Sequence, residues 1–424
     1  MLDIKLIRDE PELIRKALEK RFMETSPVDD AIRLDEKRRE LIVEVEEMRS
    51  ERNSVSKAIG RMKDQAQRQE KIEAMRDLRD KIDTVDAELQ KVEKQLKDLL
   101  LSIPNIPDPE VPVGLDDSDN IVLRTEGEIP KYDFEPKPHW DLGPELGIID
   151  FDRGVKLAGS RFYVLSGPGA LLQRALVFWM VNLHTRQGYL EKYPPYMVRE
   201  EILYGTGHLP KFRENLYRDA EEDLWMVPTA EVPLTGMHLG EILEEDQLPI
   251  HYTAYTACFR REKMSAGRDV RGIKRGHQFD KVEMYTYCKP EDSAAEHEKM
   301  LGHAEETVAA LGLPYRVLLQ STGDLGFSAH KCYDIEVWAP GCGEWLEVSS
   351  ISNDGEFQAR RAGIRYRPAE GKNTRFVHTL NGSGLGMPRT LIAVLENNQQ
   401  ADGSVSIPDV LQPLMGGIDV IRAL

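Results

Sequence analysis

Residues 255–287 read YTACFRREKMSAGRDVRGIKRGHQFDKVEMYTY. The ends of this stretch alternate large and small side chains. Tyr255, Ala257 and Phe259 lead in, and Phe279, Val282, Met284 and Tyr285 lead out. Between them lies a long polar loop rich in Gly and Arg. The pattern predicts two antiparallel strands joined by that loop. The loop and its flanks carry Arg260, Arg261, Lys263, Arg268, Arg271, Lys274, Arg275 and Lys281 against Glu262, Asp269 and Asp280. Such a basic island stands out in a chain of formal net charge -17. Guanidinium forks at a strand end suit a polyphosphate, because Arg binds phosphate through two parallel hydrogen bonds and keeps its charge at any working pH. Phe279 follows and can stack a base. A solvated basic loop is the plainer alternative.

Around this centre, 424 residues leave room for two or three domains and a sizeable core. A hydrophobic share of 41% with 30% charged residues describes a globular chain with more charge than average. No run approaches the roughly 18 apolar residues that a membrane helix needs. The start, MLDIKLIRDEPELIRKALEK, has no apolar signal region. Cys258, Cys288, Cys332 and Cys342 form no C-x-x-C pair, so neither a disulfide framework nor a zinc site is expected, and a reducing cytoplasm fits. The acidic balance argues against DNA or general nucleic-acid binding, while leaving room for RNA on a local patch.

Residues 1–30 read as a short strand-like start (Leu2, Ile4, Leu6) and an amphipathic helix from Pro11 that Ser26-Pro27 ends. Residues 31–101 differ in kind. Leu34, Leu41, Met48, Val55 and Met62 recur every seven residues. After a polar break at 63–69, Met75, Leu78, Ile82, Val85, Leu89, Val92, Leu96 and Leu99 continue with spacings of three and four. These are two coiled-coil segments able to fold back as an antiparallel hairpin arm about 45 Å long. Heptads more often serve dimerisation. Here each helix already has a neighbour, and the distal part carries Arg49, Arg52, Lys57, Arg61, Lys63, Arg68 and Lys71 with acidic residues mixed in, which leaves an RNA contact as the alternative. The expected organisation is an N-terminal domain over 1–104, a Pro/Asp-rich linker over 105–140, and a third part over 141–424.

That third part holds further chemistry. WMVPTAEVPL at 225–234 reads as a short strand into a turn, with Thr229 and Glu231 on one face of an extended chain, around the small Ala230. A hydroxyl and a carboxylate so placed can grip an ammonium group. YDIEVWAPGCGEWLEVSS at 333–350 reads as a hairpin. In HTLNGSGLGMPRT at 378–390, a Gly-rich turn leads into a helix with Pro388 and Arg389 at its start, which makes an anion site.

FRRE, a Gly/Arg loop and then GHQFDKVE resemble motif 2 of the class II aminoacyl-tRNA synthetases, and the HQFDKVE ending resembles the seryl-tRNA synthetase version. The helix, Gly188, strand and Pro195 of residues 170–198 resemble motif 1, and NGSGLG with Arg389 resembles motif 3. TAE resembles the family's serine-binding loop, and Glu347-Val348-Ser349-Ser350 its EISS-type segment. The sequence departs from the family at Gly386-Met387-Pro388 and around Asp354, without losing a functional side chain. The resemblance runs from MLDIKLIR to VLQPLMGG. It implies an α+β fold: a class II antiparallel β-sheet flanked by helices, with the N-terminal antiparallel coiled-coil hairpin.

The resemblance also implies roles. Arg260 takes the α-phosphate of ATP, and Arg271 and Arg389 its γ-phosphate end. Glu262 reads the adenine and Phe279 stacks on it, with Arg261, Val348 and Ser349 in the same site. Glu347 and Ser350 hold Mg2+ on ATP. Thr229, Ala230, Glu231, Glu283 and Ser383 receive L-serine. Arg260 and Arg389 are the catalytic pair. The partners implied are tRNA(Ser) on the arm, with tRNA(Sec) as a further candidate, and a second copy in a homodimer. A small-amino-acid activator serving a carrier protein and a non-catalytic relative are the alternatives. The long arm speaks against the first and the intact set of charged site residues against the second.

Overall fold

The computed structural model describes residues 1–263 and 271–423, so Arg268 and Asp269 of the basic loop lie outside the described residues. The chain forms two compact units, Met1–Pro104 and Asn105–Leu424.

The first unit is helical: Ile4–Asp9, Pro11–Lys20, Ser26–Ile59 and Gln65–Leu100. The strand expected at Leu2–Leu6 is instead a helix, because the Asp3 carboxylate accepts from Lys5 N at 2.9 Å and caps it. Ser26-Pro27 begins a helix rather than ending one; Pro fits the first turn, where no partner awaits its missing N–H. The two long helices form the antiparallel hairpin. Asp64 caps the second by accepting from Ala66 N at 2.9 Å, which closes the turn within five residues. The second helix has 36 residues, about 54 Å at 1.5 Å each. Val45, Ile82, Val92 and Leu96 of the heptad seam are buried, and Lys37–Glu88 and Arg49–Asp86 ion pairs flank it. Near the base, the fully buried Asp35 is ringed by Arg8, Arg38 and Arg39.

An eight-stranded sheet organises the second unit. From edge to edge run Ile121–Glu126, Tyr315–Leu319, Lys331–Ala339, Glu344–Gly355, His378–Gly386, Gln278–Cys288, Ile250–Phe259 and Leu190–Glu191. All neighbours are antiparallel except the last pair. The Pro/Asp-rich stretch expected as linker thus supplies an edge strand. Its six residues are all exposed, which hid it from a reading based on buried apolar alternation.

Helices Gly167–Arg186, Ser293–Ala310 and Met387–Asn397 cover one face of the sheet. Leu172, Met180, Met300, Leu301, Leu391 and Val394 pack there with Val282, Met284, Ile335 and Ile351. The opposite face carries a second cluster of Tyr252, Tyr285, Tyr287, Leu243 and Tyr366. The strand Gln278–Cys288 is therefore apolar on both sides, and side-chain alternation along it separates the two cores. Phe279, Lys281 and Glu283 share the face of Tyr285 and Tyr287, and there the candidate site opens.

Candidate active site

A cavity of about 410 Å³ lies on this face of the sheet, with Thr229, Glu231, Arg260, Phe279, Glu347 and Arg389 among its walls. Phe279 and Glu283 are four residues apart, about 13 Å along the strand. Phe279 lines this trough, and Glu283 lies behind the part of its wall formed by Thr229, Lys281 and Ser383. Arg260 stands by Phe279, and Ser383 pairs across from Glu283.

Two bulges complete the walls. Residues three apart in a regular strand face opposite ways. In Glu344–Gly355 the pairing passes from Ile335↔Ser349 to Glu336↔Glu347, which leaves Val348 as the extra residue. The bulge lets Glu347 and Ser350 both open on the cavity. In His378–Gly386 the extra residue is Gly384. A Cβ there would stand 2.1 Å from His184 Nε2, so only glycine fits the close approach. Beyond that bulge the strand ends, and the helix bearing Arg389 begins.

At the Glu283 end, charge is buried. Glu283 is 1% exposed, just behind the cavity wall. Its Oε2 accepts from Thr229 Oγ1 at 3.0 Å and pairs with Lys281, while its Oε1 is buried with no hydrogen-bond partner among the described residues. Burial pushes Glu231 up to about 8, helped by Asp354 and Glu283 and opposed by Lys281 and Gln358. Gln358 Nε2 donates to Glu231 Oε1 at 2.6 Å. Asp354, held by Asn381 Nδ2 at 2.9 Å, is pushed up to about 7 by burial. Burial drives His208 down to about 3, with Arg260, Lys281 and Arg361 acting in the same direction, so its ring stays neutral. Glu283 and Glu231, both near Lys281, give this end carboxyl groups that can receive a small cation.

At the other end, the Arg260 guanidinium lies over the Phe279 ring at 5.0 Å, and its Nε donates to Pro228 O at 3.2 Å. Arg389 Nη1 donates to Glu347 O at 2.8 Å and lies 3.3 Å from Glu347 Oε2. Arg275 stands 3.8 Å from Glu262. Cations ring this end, as a polyphosphate requires.

Several residues named from the sequence stand elsewhere. Arg271 lies over Trp140 at 4.9 Å and 3.6 Å from Asp141, outside the cavity walls. Arg261 stacks on Tyr217 at 5.3 Å. Ala230 is buried in the tyrosine cluster. The buried Ser349 hydroxyl donates to Ser383 O at 2.6 Å and ties the two bulged strands together. Thr229 and Glu231 do meet in the cavity, but not through strand alternation. Glu231 opens the helix Glu231–Gly236, and its N–H donates to Thr229 Oγ1 at 3.2 Å, a local hydroxyl turn.

Sequence reading counts Lys274 and Lys281 in the basic island without giving either a role of its own, and it passes over Asn381 and Gln358. Lys281 had a signal, since it lies two residues from both Phe279 and Glu283. Gln358 had none: it arrives on the helix Phe357–Ala362, 127 residues from its partner Glu231.

Residues 212–398 match the model of the tRNA synthetase class II core domain (G, H, P, S and T), and residues 1–107 match that of the seryl-tRNA synthetase N-terminal domain. A serine-tRNA ligase of Roseiflexus sp. (strain RS-1) is 61% identical over 422 residues, covering 100% of both chains. The chain belongs to the seryl-tRNA synthetase family. Among solved structures, the seryl-tRNA synthetase of Pyrococcus horikoshii complexed with ATP has a TM-score of 0.93 at 39% identity, with full coverage of both chains. The cytoplasmic serine-tRNA ligase of Naegleria fowleri in complex with AMP has a TM-score of 0.87 at 32% identity, covering 100% of this chain and 99% of that one. The fold is the class II synthetase fold. The chain is an ATP-dependent ligase that activates serine and attaches it to tRNA. The carrier-protein and non-catalytic alternatives find no support in these comparisons.

Proposed function

We propose that the trough holds serine at its Glu231–Glu283 end and ATP at its Arg260–Arg389 end. The observation that carries this reading is the unpartnered buried Oε1 of Glu283 beside Thr229, Glu231 and Ser383. A buried acceptor built to take a hydroxyl proton rejects an analogue without that hydroxyl by as much as roughly 10⁴–10⁵. Alanine leaves the carboxylate unpaired. Threonine is met only by the size of the pocket, a weaker sieve.

The serine carboxylate oxygen attacks the α-phosphorus of ATP in line, the bond to the β-phosphate oxygen breaks, and pyrophosphate leaves. Arg260 and Arg389 neutralise the charge that develops, so catalysis is positioning and electrostatics, with no protein nucleophile. A terminal tRNA ribose hydroxyl then attacks the seryl carbonyl, and AMP leaves. Glu347 and Ser350, turned into the cavity by the Val348 bulge, offer the oxygen donors that suit Mg2+. When bound, Mg2+ neutralises phosphate charge.

The hairpin arm is the contact for tRNA(Ser), read by shape and backbone. Phe178, Leu190 and Tyr193 are 60%, 59% and 81% exposed on the helix and extended segment of motif 1, which supports a homodimer through that face. No helix among the described residues is long and apolar enough to cross a membrane, in keeping with a cytoplasmic enzyme.

The test follows from Glu231. Burial, with Asp354 and Glu283 nearby, raises its pKa from an ordinary 4.5 to about 8, which keeps it protonated at pH 7. The unfolded chain gives up that proton earlier. The group therefore costs stability as pH climbs from 4.5 towards 8 and adds no further change above that. A serine ammonium favours the carboxylate and expels the proton. Calorimetric titration with serine in buffers of different ionisation heat is expected to show release of about one proton at pH 7, fading above pH 8. Glu231→Gln should abolish the release. Serine binding with no proton exchange at pH 7 would contradict the assignment.

A further inference from the structure

Away from the trough, His139, Cys342 and Glu396 bring their ligand atoms within 4.8 Å of one another. His139 and Glu396 are fully buried. Glu396 Oε1 accepts from His139 N at 2.9 Å and from Cys342 Sγ at 3.1 Å, and stands 2.9 Å from His139 Nδ1. Glu396 Oε2 accepts from Cys342 N at 2.9 Å. The other ring nitrogen, His139 Nε2, accepts from Ile273 N at 3.1 Å. A backbone N–H can only donate, so Nε2 carries the lone pair and Nδ1 carries the proton. That proton faces a carboxylate. The cluster is a satisfied hydrogen-bond chain, and a cation at Nδ1 would have to displace the proton and leave two donors facing each other at Nε2.

The chain joins two parts of the trough. Glu396 lies on the helix Met387–Asn397, which carries Arg389 at its start. Ile273 lies in the basic loop, directly before Lys274 and Arg275, both of which line the cavity. The backbone is shaped for the contact: Gly272 has φ +77°, and a Cβ on it would stand 2.0 Å from His139 Nε2. We propose that His139 is a positioning residue that fixes the Lys274–Arg275 segment against the Arg389 helix, and so presets the cations that receive the triphosphate. The proposal rests on the assignment of ATP to this end of the trough.

His139→Asn separates positioning from folding. Asn places an amide where Nδ1 stands, keeping the bond to Glu396, and has no atom at Nε2. The variant leaves the buried Ile273 N–H unpaired, so it is expected to melt below the wild type while staying folded at assay temperature, and to keep its KM for serine in ATP–pyrophosphate exchange. Its KM for ATP should rise about three- to tenfold, the loss of one buried hydrogen bond. Gly272→Ala should raise KM for ATP in the same way, and should add less to His139→Asn than to the wild type, because the clashing nitrogen is gone. An unchanged KM for ATP in His139→Asn, equal rises for ATP and serine, or fully additive effects would overturn the proposal. No serine-dependent exchange in the wild type would instead overturn the assignment of the trough.

Discussion

Arg260→Ala is expected to cut serine-dependent ATP–pyrophosphate exchange by at least about 10²–10³, the cost of removing one preorganised charge stabiliser. The position explains the size. Arg260 directly follows the strand Ile250–Phe259, so its backbone is fixed by the sheet. Its guanidinium is held between Pro228 O and the Phe279 ring, already facing the cavity. Little reorganisation remains when phosphate arrives. Arg260→Lys should restore only a small part, because an ammonium lacks the planar fork. Both variants should stay folded, as Arg260 has few ties beyond Pro228 O and Phe279. Near-normal exchange in Arg260→Ala would remove the residue from the mechanism.

Shortening the arm is expected to do the reverse: exchange survives and tRNA charging is lost. The ion pair between Lys37 and Glu88 shows that the two helices run side by side at that level, so residues 40–85 can be replaced by a short Gly/Ser turn. The cut spares Asp35 and its arginines, and with them the base of the first unit. Adenylate formation should stay within about twofold of wild type, since arm and trough belong to different compact units. Charging should fall by several orders of magnitude if the arm supplies the main RNA contact. Charging at the wild-type rate would rule the arm out as the tRNA contact.

Much of this was legible in the chain itself, for physical reasons that differ by element. The heptads announced the hairpin because an arm with little core of its own must declare its seam at every turn. Tyr255, Ala257 and Phe259 on one side of the basic loop and Phe279, Val282, Met284 and Tyr285 on the other announced two paired strands because their alternation is dense. What stayed hidden depended on bulges and distant partners. Glu347 and Ser350 are three apart and should face opposite ways; only the Val348 bulge brings them together. Thr229 and Glu231 were placed together for the wrong local reason, since a helix start rather than a strand aims them. Gln358, Asn381 and the His139–Glu396 pair come from far along the chain, and no local pattern marks them. Arg271, to which the resemblance gives the γ-phosphate end, lies over Trp140 and beside Asp141, outside the cavity walls.

The central claim is that this trough activates serine before any tRNA arrives. ATP–pyrophosphate exchange across the twenty amino acids, without tRNA, tests it most directly. Strong exchange with serine, and little with threonine, alanine or cysteine, is the result expected from the unpartnered Glu283 oxygen and its neighbours. Exchange with none of the twenty, or equal exchange with serine and alanine, would contradict it.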